Sequence, residues 1–353
     1  MGEAATVARY ATLTDGSCVA YGMLGDGPPL VMVPGWLCHL ELNWSHPAAA
    51  SALDKLAAAH RFVWYDRLGC GLSDRDGFDL SVDNDVEQLG SVLDAAGIRR
   101  THLLGYSFGV PPAARFAARY PDRVDRLVLY SGFARGQAMM PRESLDASMQ
   151  LIRADWDMAV RMLATHMLPN ASSQDLRWFS RFQQVAAEPE MAARLLEHTW
   201  GMDVRADLAA IAAPTLVLHD RDDQVIPVSA AEELAASIPG ARRHLLDGNE
   251  HDPFLRDSGS IVETILAFVD GRPIASVATP EPPHTSLTTR EREVLRRLAS
   301  GATNERIAAE LDIATKTVER HVTNVYRKLG AGGRADATRA AVAMELVSAG
   351  PAP

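Results

Sequence analysis

The chain contains few cysteines, and they follow no recognisable pattern. Its 353 residues include three, Cys18, Cys38 and Cys70, and none of them lies in a CxxC pair or at the spacing of metal ligands. This excludes a disulfide framework and a zinc site, and it is typical of a protein from a reducing compartment. We expect neither a metal ion nor a cofactor.

Long apolar segments are also missing. No run of about 18 apolar residues occurs, which is the length that a membrane-spanning helix needs. The first residues, MGEAATVARYATLTDG, lack the apolar core of a secretion signal. From both absences we expect a cytoplasmic protein with no membrane partner.

Positive charge is scarce in most of the chain but not in its last part. The whole sequence has 35 Lys and Arg against 45 Asp and Glu, a net charge of −10. Residues 284–353 hold 11 basic and 8 acidic side chains, a net charge of +3, which leaves −13 for the rest. An acidic body repels nucleic acid, so any contact with DNA is predicted for the last part of the chain.

Short apolar or β-branched runs alternate with amphipathic stretches over the first 270 residues. The runs lie at 29–35, 61–67, 101–107, 125–132, 214–220 and 241–248. This alternation predicts an α/β domain with a mostly parallel central sheet that helices cover on both faces.

One interval, residues 133–207, has helical spacing and no strand-like run. It holds 8 of the 12 methionines and 3 of the 6 tryptophans. Methionine adapts to irregular apolar surroundings, so the interval predicts a helical cap over an apolar cavity. The alternative is that these side chains merely pack a helical subdomain.

The sequence also predicts where the domains divide. The α/β domain is expected to cover residues 1–270, and four prolines in residues 271–285 indicate a semi-rigid linker. A second, smaller domain is expected at residues 286–350.

The motif GYSFG, at residues 105–109, stands where an apolar run meets a helical stretch. Gly105 and Gly109 permit a close approach of strand and helix around a strained turn. Such a turn lifts the hydroxyl of Ser107 above the edge of the sheet. Ser107 is therefore the predicted nucleophile.

A serine hydroxyl needs a base to take its proton, and the base needs an acid to hold its tautomer. Each partner follows a predicted strand: Asp223 lies in DRDDQVIP and His251 in NEHDPF. We predict His251 as the general base and Asp223 as the orienting acid, with Asp220 and Asp222 as neighbouring carboxylates. The backbone N–H groups of Trp36 and Phe108 are the predicted donors to the oxyanion.

The motifs PGW, YDRLGCGLSD, GYSFG, LHDRDDQVIP and GNEHDPF together resemble the α/β-hydrolase superfamily across residues 9–270. With serine in the turn, the resemblance implies cleavage of an ester, thioester, lactone, amide or C–C bond, and it does not choose among them. Receptors derived from this fold can keep the three residues without turnover.

The last part of the chain divides into four short amphipathic helices from Leu287 onward. Its pattern (LTxREREVL, then NxxIAxxL, then TVxxHVxNxxxKL) resembles the LuxR-type helix-turn-helix DNA-binding domain. The resemblance implies that Glu319, Arg320 and Thr323 face the major groove. It also implies phosphate contacts from Asn304, Thr315, Lys316, Thr317, Asn324, Arg327 and Lys328.

One recognition helix reads too few base pairs for specific binding in a genome. We therefore expect a homodimer on a two-fold operator in double-stranded DNA, with half-sites about 10 base pairs apart. The stretch from Arg334 to Val347 offers an apolar face for this pairing, made of Ala337, Ala340, Ala341 and Met344, unless that face packs against its own domain.

The segments HLELNW and DWDMAVRML resemble α/β-hydrolase domains fused to LuxR-type domains or to nucleotide cyclases. The combined prediction is a transcription regulator whose hydrolase domain senses and hydrolyses a small apolar ester-, thioester- or lactone-like ligand. Two alternatives remain: a non-hydrolytic receptor that controls the same DNA-binding domain, and a metabolic serine esterase with an accessory DNA-tethering domain.

Overall fold

The computed structural model describes residues 8–252, 254–255, 259–274, 287, 289–311, 313–329, 334, 337–338, 341 and 346. The chain divides into two compact units, residues 1–274 and 275–353. The division falls within the interval that the sequence assigns to the linker.

In the first unit, the described residues form one eight-stranded sheet with the strand order β1-β2-β4-β3-β5-β6-β7-β8. β1 and β2 pair in antiparallel fashion, β2 pairs antiparallel with β4, and the remaining pairs are parallel. The strands are β1 (Arg9–Thr12), β2 (Cys18–Leu24), β3 (Pro29–Val33), β4 (Arg61–Tyr65), β5 (Thr101–Tyr106), β6 (Val124–Tyr130), β7 (Thr215–Asp220) and β8 (Arg242–Leu246).

Each of the six predicted runs is a strand, and the mostly parallel sheet is confirmed. The hairpin of β1 and β2 was not predicted. β1 lies at the edge of the sheet, and only one of the four side chains in RYAT is buried. An edge strand of this kind lacks the continuous apolar run that marks a central strand in the sequence.

Helices cover both faces of the sheet, as predicted. On one face the core includes Leu89, Phe116 and Leu234, and on the other it includes Leu53 and Ile265. The helices outside the β6–β7 interval are α1 (Pro47–Ala59), α2 (Val82–Ala95), α3 (Val110–Arg119), α9 (Val228–Ser237) and α10 (Gly259–Val269).

The interval between β6 and β7 is helical. It contains α4 (Arg142–Ala154), α5 (Trp156–Met167), α6 (Ser173–Ala186), α7 (Pro189–Gly201) and α8 (Arg205–Leu208). Its two ends meet in a short antiparallel bridge, where Gly136 N donates to Met202 O at 2.8 Å and Val204 N donates to Ala134 O at 2.9 Å. The cap therefore leaves the sheet and returns to it at one place.

The cap packs on the loops that follow two central strands. Trp36, after β3, and Phe108, after β5, share one apolar cluster with Leu145, Leu195 and Leu196 of the cap. This contact places the cap over the carboxyl ends of the parallel strands, which is where open α/β sheets bind ligands.

The second unit is a small helical domain with its own core. Its helices are α11 (Thr289–Ala299), α12 (Asn304–Leu311) and α13 (Thr315–Leu329), and further helical residues are described at 334, 337–338 and 341. Its buried side chains include Val294, Ile307, Val318 and Val325.

Ala337 and Ala341 are fully buried in that core. For these two residues, the expectation of an exposed pairing face is therefore wrong, because they pack inside their own domain. Ala340 and Met344 lie outside the described residues. Throughout the described ranges, no helix combines the length and the apolar character needed to cross a bilayer.

The first prediction concerns Gly109, where a Cβ atom would lie 2.2 Å from Val33 O and 2.6 Å from Pro34 O. Gly109→Ala should lower the free energy of unfolding by about 1–3 kcal/mol, because α3 must move away from backbone atoms of β3. Urea unfolding followed by tryptophan fluorescence measures this, since all six tryptophans lie in residues 1–274.

The matched control is Gly90→Ala in α2, where a Cβ atom would meet only Phe116 Cε2, at 3.9 Å. It should raise the free energy of unfolding by up to about 1 kcal/mol, because alanine is the better helix former. Equal effects from the two substitutions would contradict the tight contact at Gly109.

Candidate active site and DNA-binding helix

Ser107 occupies a sharp turn between β5 and α3. Its φ angle is 53°, in the left-handed region that non-glycine residues rarely adopt. Strand and helix lie so close together at this turn that a Cβ atom at Gly105 would be 2.9 Å from Ala113 Cβ. The predicted glycine contacts are thus present, and Ser107 starts a short 3-10 turn that leads into the N-terminus of α3.

The three predicted side chains form one continuous chain of hydrogen bonds. Ser107 Oγ lies 2.6 Å from His251 Nε2, and His251 Nδ1 lies 2.8 Å from Asp223 Oδ2. The residues are 2%, 1% and 8% exposed, in the order Ser107, His251 and Asp223. With Asp223 as the acceptor of the Nδ1 proton, Nε2 is free to accept the proton of the serine hydroxyl.

Asp223 is held by backbone donors as well as by the imidazole. Its Oδ1 accepts from Val225 N at 2.8 Å and from Ile226 N at 3.1 Å. Burial raises the pKa of this carboxyl, but His251 and the two N–H donors outweigh burial and hold the pKa below its usual value. The acid is therefore kept ionised beside the imidazole.

The two neighbouring carboxylates, Asp220 and Asp222, lie in different surroundings. Asp220 is fully buried and accepts a hydrogen bond from the Tyr130 hydroxyl, while Asp222 is exposed. The structure thus distinguishes three carboxylates that are almost equivalent in the sequence, and it brings Asp223 to His251.

The loop that carries His251 is hydrogen-bonded to the cap. His251 N donates to Met167 O, at the end of α5, at 2.9 Å. Beside it, Asn170 Nδ2 donates to Asn249 Oδ1 at 2.5 Å. A displacement of this end of α5 would therefore move the base relative to Ser107. Sequence reasoning did not predict this link, because backbone hydrogen bonds between distant segments leave no pattern in side-chain types.

Two cavities open at Ser107. The smaller cavity, of about 70 Å³, is lined mostly by apolar side chains and also by Asn43, Tyr106, Gln183 and Asp252. Asp252 accepts from Phe254 N at 2.8 Å and is hydrogen-bonded to the Tyr106 hydroxyl, and burial raises its pKa.

The larger cavity, of about 330 Å³, is lined by four of the eight cap methionines, together with Ser107 and His251. These methionines are Met139, Met140, Met162 and Met167. Trp36, Ser107 and Met167 line both cavities, so the serine hydroxyl lies where they meet.

The residues predicted to stabilise the oxyanion lie beside the nucleophile. Trp36 and Phe108 are both buried and their rings are 6.5 Å apart. A Cβ atom at Gly35 would lie 3.5 Å from Ser107 Cβ, so the loop of Trp36 runs directly past the serine. The donor role of the two N–H groups stays a prediction.

Among the described residues, no group of three or more His, Cys, Asp and Glu side chains is arranged to hold a metal ion.

In the second unit, α13 has the expected two-sided character. Val318 and Val325 are buried, whereas Lys316, Glu319, Arg320 and Thr323 are exposed. Thr323 Oγ1 donates to Glu319 O in its own helix at 3.0 Å. The half-buried predicted DNA contacts are Asn304, Thr315, Thr317 and Asn324, and the side chain of Arg327 lies outside the described residues.

Lys328 has a partner that the sequence did not predict. Its Nζ lies 2.6 Å from Oε2 of Glu291 in α11, and the two side chains are 17% and 5% exposed. Glu291 is separated from Lys328 by 37 positions, so no local spacing signals the pair. The phosphate contact assigned to Lys328 stays a prediction, and the ion pair competes with it.

We predict that Lys328→Ala loosens the second unit, because it removes a cationic partner from a buried carboxylate. Hydrogen exchange of the full chain, resolved by mass spectrometry, should become about tenfold faster or more in α11 and α13. Lys316→Ala, on the exposed side of the same helix, is the control and should weaken DNA binding without changing exchange. Unchanged exchange in the Lys328 variant would assign this side chain to DNA alone.

Comparisons with known proteins agree with both units. Residues 28–258 match the family model described as alpha/beta hydrolase fold. Residues 285–341 match the model described as bacterial regulatory proteins, luxR family.

Relatives and solved structures match the first unit. The AB hydrolase superfamily protein YisY of Bacillus subtilis is 27% identical over 260 residues, 69% of this chain and 92% of that protein. The pimeloyl-[acyl-carrier protein] methyl ester esterase of Nitrosomonas europaea is 28% identical over 242 residues, 65% of this chain and 91% of that protein. The crystal structure of a hydrolase from Pseudomonas aeruginosa PA01 superimposes with a TM-score of 0.65 at 26% identity and covers 75% of this chain and 99% of that one. This chain therefore belongs to the α/β-hydrolase family and carries a LuxR-type DNA-binding domain at residues 285–341.

Proposed function

We propose that the protein is a DNA-binding transcription regulator whose α/β-hydrolase unit senses and hydrolyses a small apolar ester, thioester or lactone. The observation that carries this proposal is the hydrogen-bonded chain of Ser107, His251 and Asp223, which opens onto two apolar cavities under the cap. Similarity to a methyl ester esterase supports ester chemistry.

The mechanism follows from the positions of the three side chains. Ser107 Oγ attacks the carbonyl carbon of the ligand while its proton passes to His251 Nε2, and Asp223 stabilises the imidazolium. The oxyanion of the tetrahedral intermediate accepts hydrogen bonds from the N–H groups of Trp36 and Phe108. His251 then protonates the leaving alcohol, thiol or lactone oxygen, and an acyl-serine remains.

The second half of the reaction reverses these roles. His251 takes a proton from water, the resulting hydroxide attacks the acyl-serine, and the proton returns to Ser107 as the carboxylic acid leaves. Neither a metal nor a cofactor takes part in this sequence of steps.

The lining of the cavities favours an uncharged ligand. Among the described residues, neither cavity is lined by lysine or arginine, and these are the side chains that bind phosphate and carboxylate groups. The four methionines of the larger cavity suit apolar groups of variable shape.

The sensor reading rests on two features together. The unit that binds the ligand shares a chain with a LuxR-type domain, and the hydrogen bond of His251 N with Met167 O joins the base to the cap. The two alternatives, a non-hydrolytic receptor and a metabolic esterase with an accessory DNA-tethering domain, predict different outcomes in the two experiments below.

We predict that Ser107→Ala lowers hydrolysis of short activated esters by about three orders of magnitude or more, because residues of such a triad act as a unit. Labelling by a fluorophosphonate probe should disappear with it, and His251→Ala should have a similar effect on turnover. Ser180→Ala is the control, since this hydroxyl donates to Leu176 O in its own helix and should leave turnover unchanged.

The result would separate the alternatives. Equal turnover by the wild type and Ser107→Ala contradicts a hydrolase role for this site. Labelling of Ser107 without measurable turnover favours the non-hydrolytic receptor.

The second experiment measures coupling between ligand and DNA. Ser107→Ala should bind, without cleaving it, the ester that the wild type hydrolyses best, and this ester should shift the dissociation constant for operator DNA by about 5- to 150-fold. The operator is first obtained by selection from random duplexes, and we expect two chains bound per two-fold site. Linkage requires that operator DNA shift the affinity for the ester by the same factor.

Arg320→Ala and Lys316→Ala test the DNA contacts in the same assay. The first should weaken binding mainly at the operator, and the second should weaken binding to all duplexes and reduce its salt dependence. Identical operator affinity with an empty and a filled cavity would refute sensing and favour the tethered esterase.

A further inference from the structure

Gln183 of α6 lines the smaller cavity, and its side-chain oxygen is a buried acceptor that no described group satisfies. The residue is 1% exposed and lines this cavity. Its Nε2 donates to Val160 O at 3.2 Å and to Phe179 O at 3.3 Å. Both partners are carbonyl oxygens, which only accept, so the orientation of the side-chain amide is fixed and Oε1 is left without a partner among the described residues.

Four donors that line the same cavity are engaged elsewhere. The indole N–H groups of Trp36, Trp64 and Trp178 donate to Ala192 O, Leu40 O and Ser45 Oγ. The Tyr106 hydroxyl is hydrogen-bonded to Asp252. Buried polar atoms in native proteins are almost always paired, so the partner of Gln183 Oε1 is expected to come from the contents of the cavity.

We propose that Gln183 Oε1 accepts a hydrogen bond from the ligand, which therefore carries a hydroxyl or an amide N–H group on the apolar portion that fills the smaller cavity. The inference rests on the proposed function in taking this cavity as the ligand site. It narrows the ligand class from apolar esters to apolar esters that bear one donor.

The competing role for Gln183 is structural, because its Nε2 bridges α6 to Val160 of α5. Its neighbour Gln184 makes a similar bridge, with Nε2 donating to Asp157 Oδ1 of α5 at 2.5 Å, but it lies outside both cavities. Gln184→Met is therefore a matched control that removes an α5–α6 bridge and leaves the acceptor in the cavity unchanged.

The experiment compares p-nitrophenyl esters of one chain length. One ester is unsubstituted, others carry a hydroxyl on successive acyl carbons, and a further set carries an amide N–H at the same positions. The quantity compared is kcat/KM for each substituted ester divided by kcat/KM for the unsubstituted one.

In the wild type, at least one substituted ester should be preferred by about tenfold or more, because a site built around a hydrogen bond rejects the analogue that lacks it. Gln183→Met should bring that ratio close to one, and Gln184→Met should keep it. Whether the hydroxyl or the amide series is preferred identifies the donor.

Hydrolysis of the unsubstituted ester with no preference for any donor would overturn the inference and leave the proposed function intact. Retention of the preference in Gln183→Met would overturn it as well. If no ester is hydrolysed, the hydrolase proposal fails separately. The same esters then serve as ligands, and the rise in melting temperature of the wild type and of Gln183→Met decides the role of Gln183.

Discussion

The close approach of α3 to β3 and β5 is the contact on which the site depends. Glycine at 109 allows the start of α3 to lie against Val33 O, and glycine at 105 allows β5 to lie against Ala113. This packing holds Ser107 at a φ of 53°, a conformation that costs about 1–3 kcal/mol and persists only where the surroundings enforce it. Because the backbone is held there, Ser107 Oγ meets His251 and the helix N-terminus lies behind it.

What could be predicted from the sequence is what leaves a local signal. Strands buried on both faces are continuous apolar runs, so the six central strands were identified correctly. A strained turn needs glycines, so the place of Ser107 in such a turn was predicted as well, and its role as nucleophile stays a prediction. Asp223 was chosen from its place in the motif, and the fold adds that Asp220 is hydrogen-bonded to Tyr130 whereas Asp223 is hydrogen-bonded to His251. Gln183 and Gln184 are likewise indistinguishable as adjacent letters, although one is buried at the cavity and the other bonds to Asp157 on the outer side.

In the second unit, periodicity predicted which side of α13 is exposed but not the partners of its charges. Arg320 and Lys316 lie on the exposed side, as their helical spacing indicates. The ion pair of Lys328 with Glu291 joins positions 37 residues apart. The ammonium group of Lys328 therefore has a partner inside the unit, in addition to the predicted phosphate contact. An apolar face in the sequence does not show whether it packs inside its own domain or against a second chain. Ala337 and Ala341 pack inside their own domain.

The hydrogen bond of His251 N with Met167 O joins the cap to the residue that we propose as the general base. Met167 also lines both cavities, so a ligand that displaced the end of α5 would change the distance between His251 and Ser107. Under the proposed function, binding and chemistry are therefore not independent events. An acyl group attached to Ser107 keeps the cavity filled until water removes it, so the rate of deacylation sets how long the regulator remains in its ligand-bound state. Under this proposal, a slow hydrolase acts as a receptor whose ligand-bound state ends by deacylation. The enzyme and the receptor hypotheses then differ only in the rate of that step.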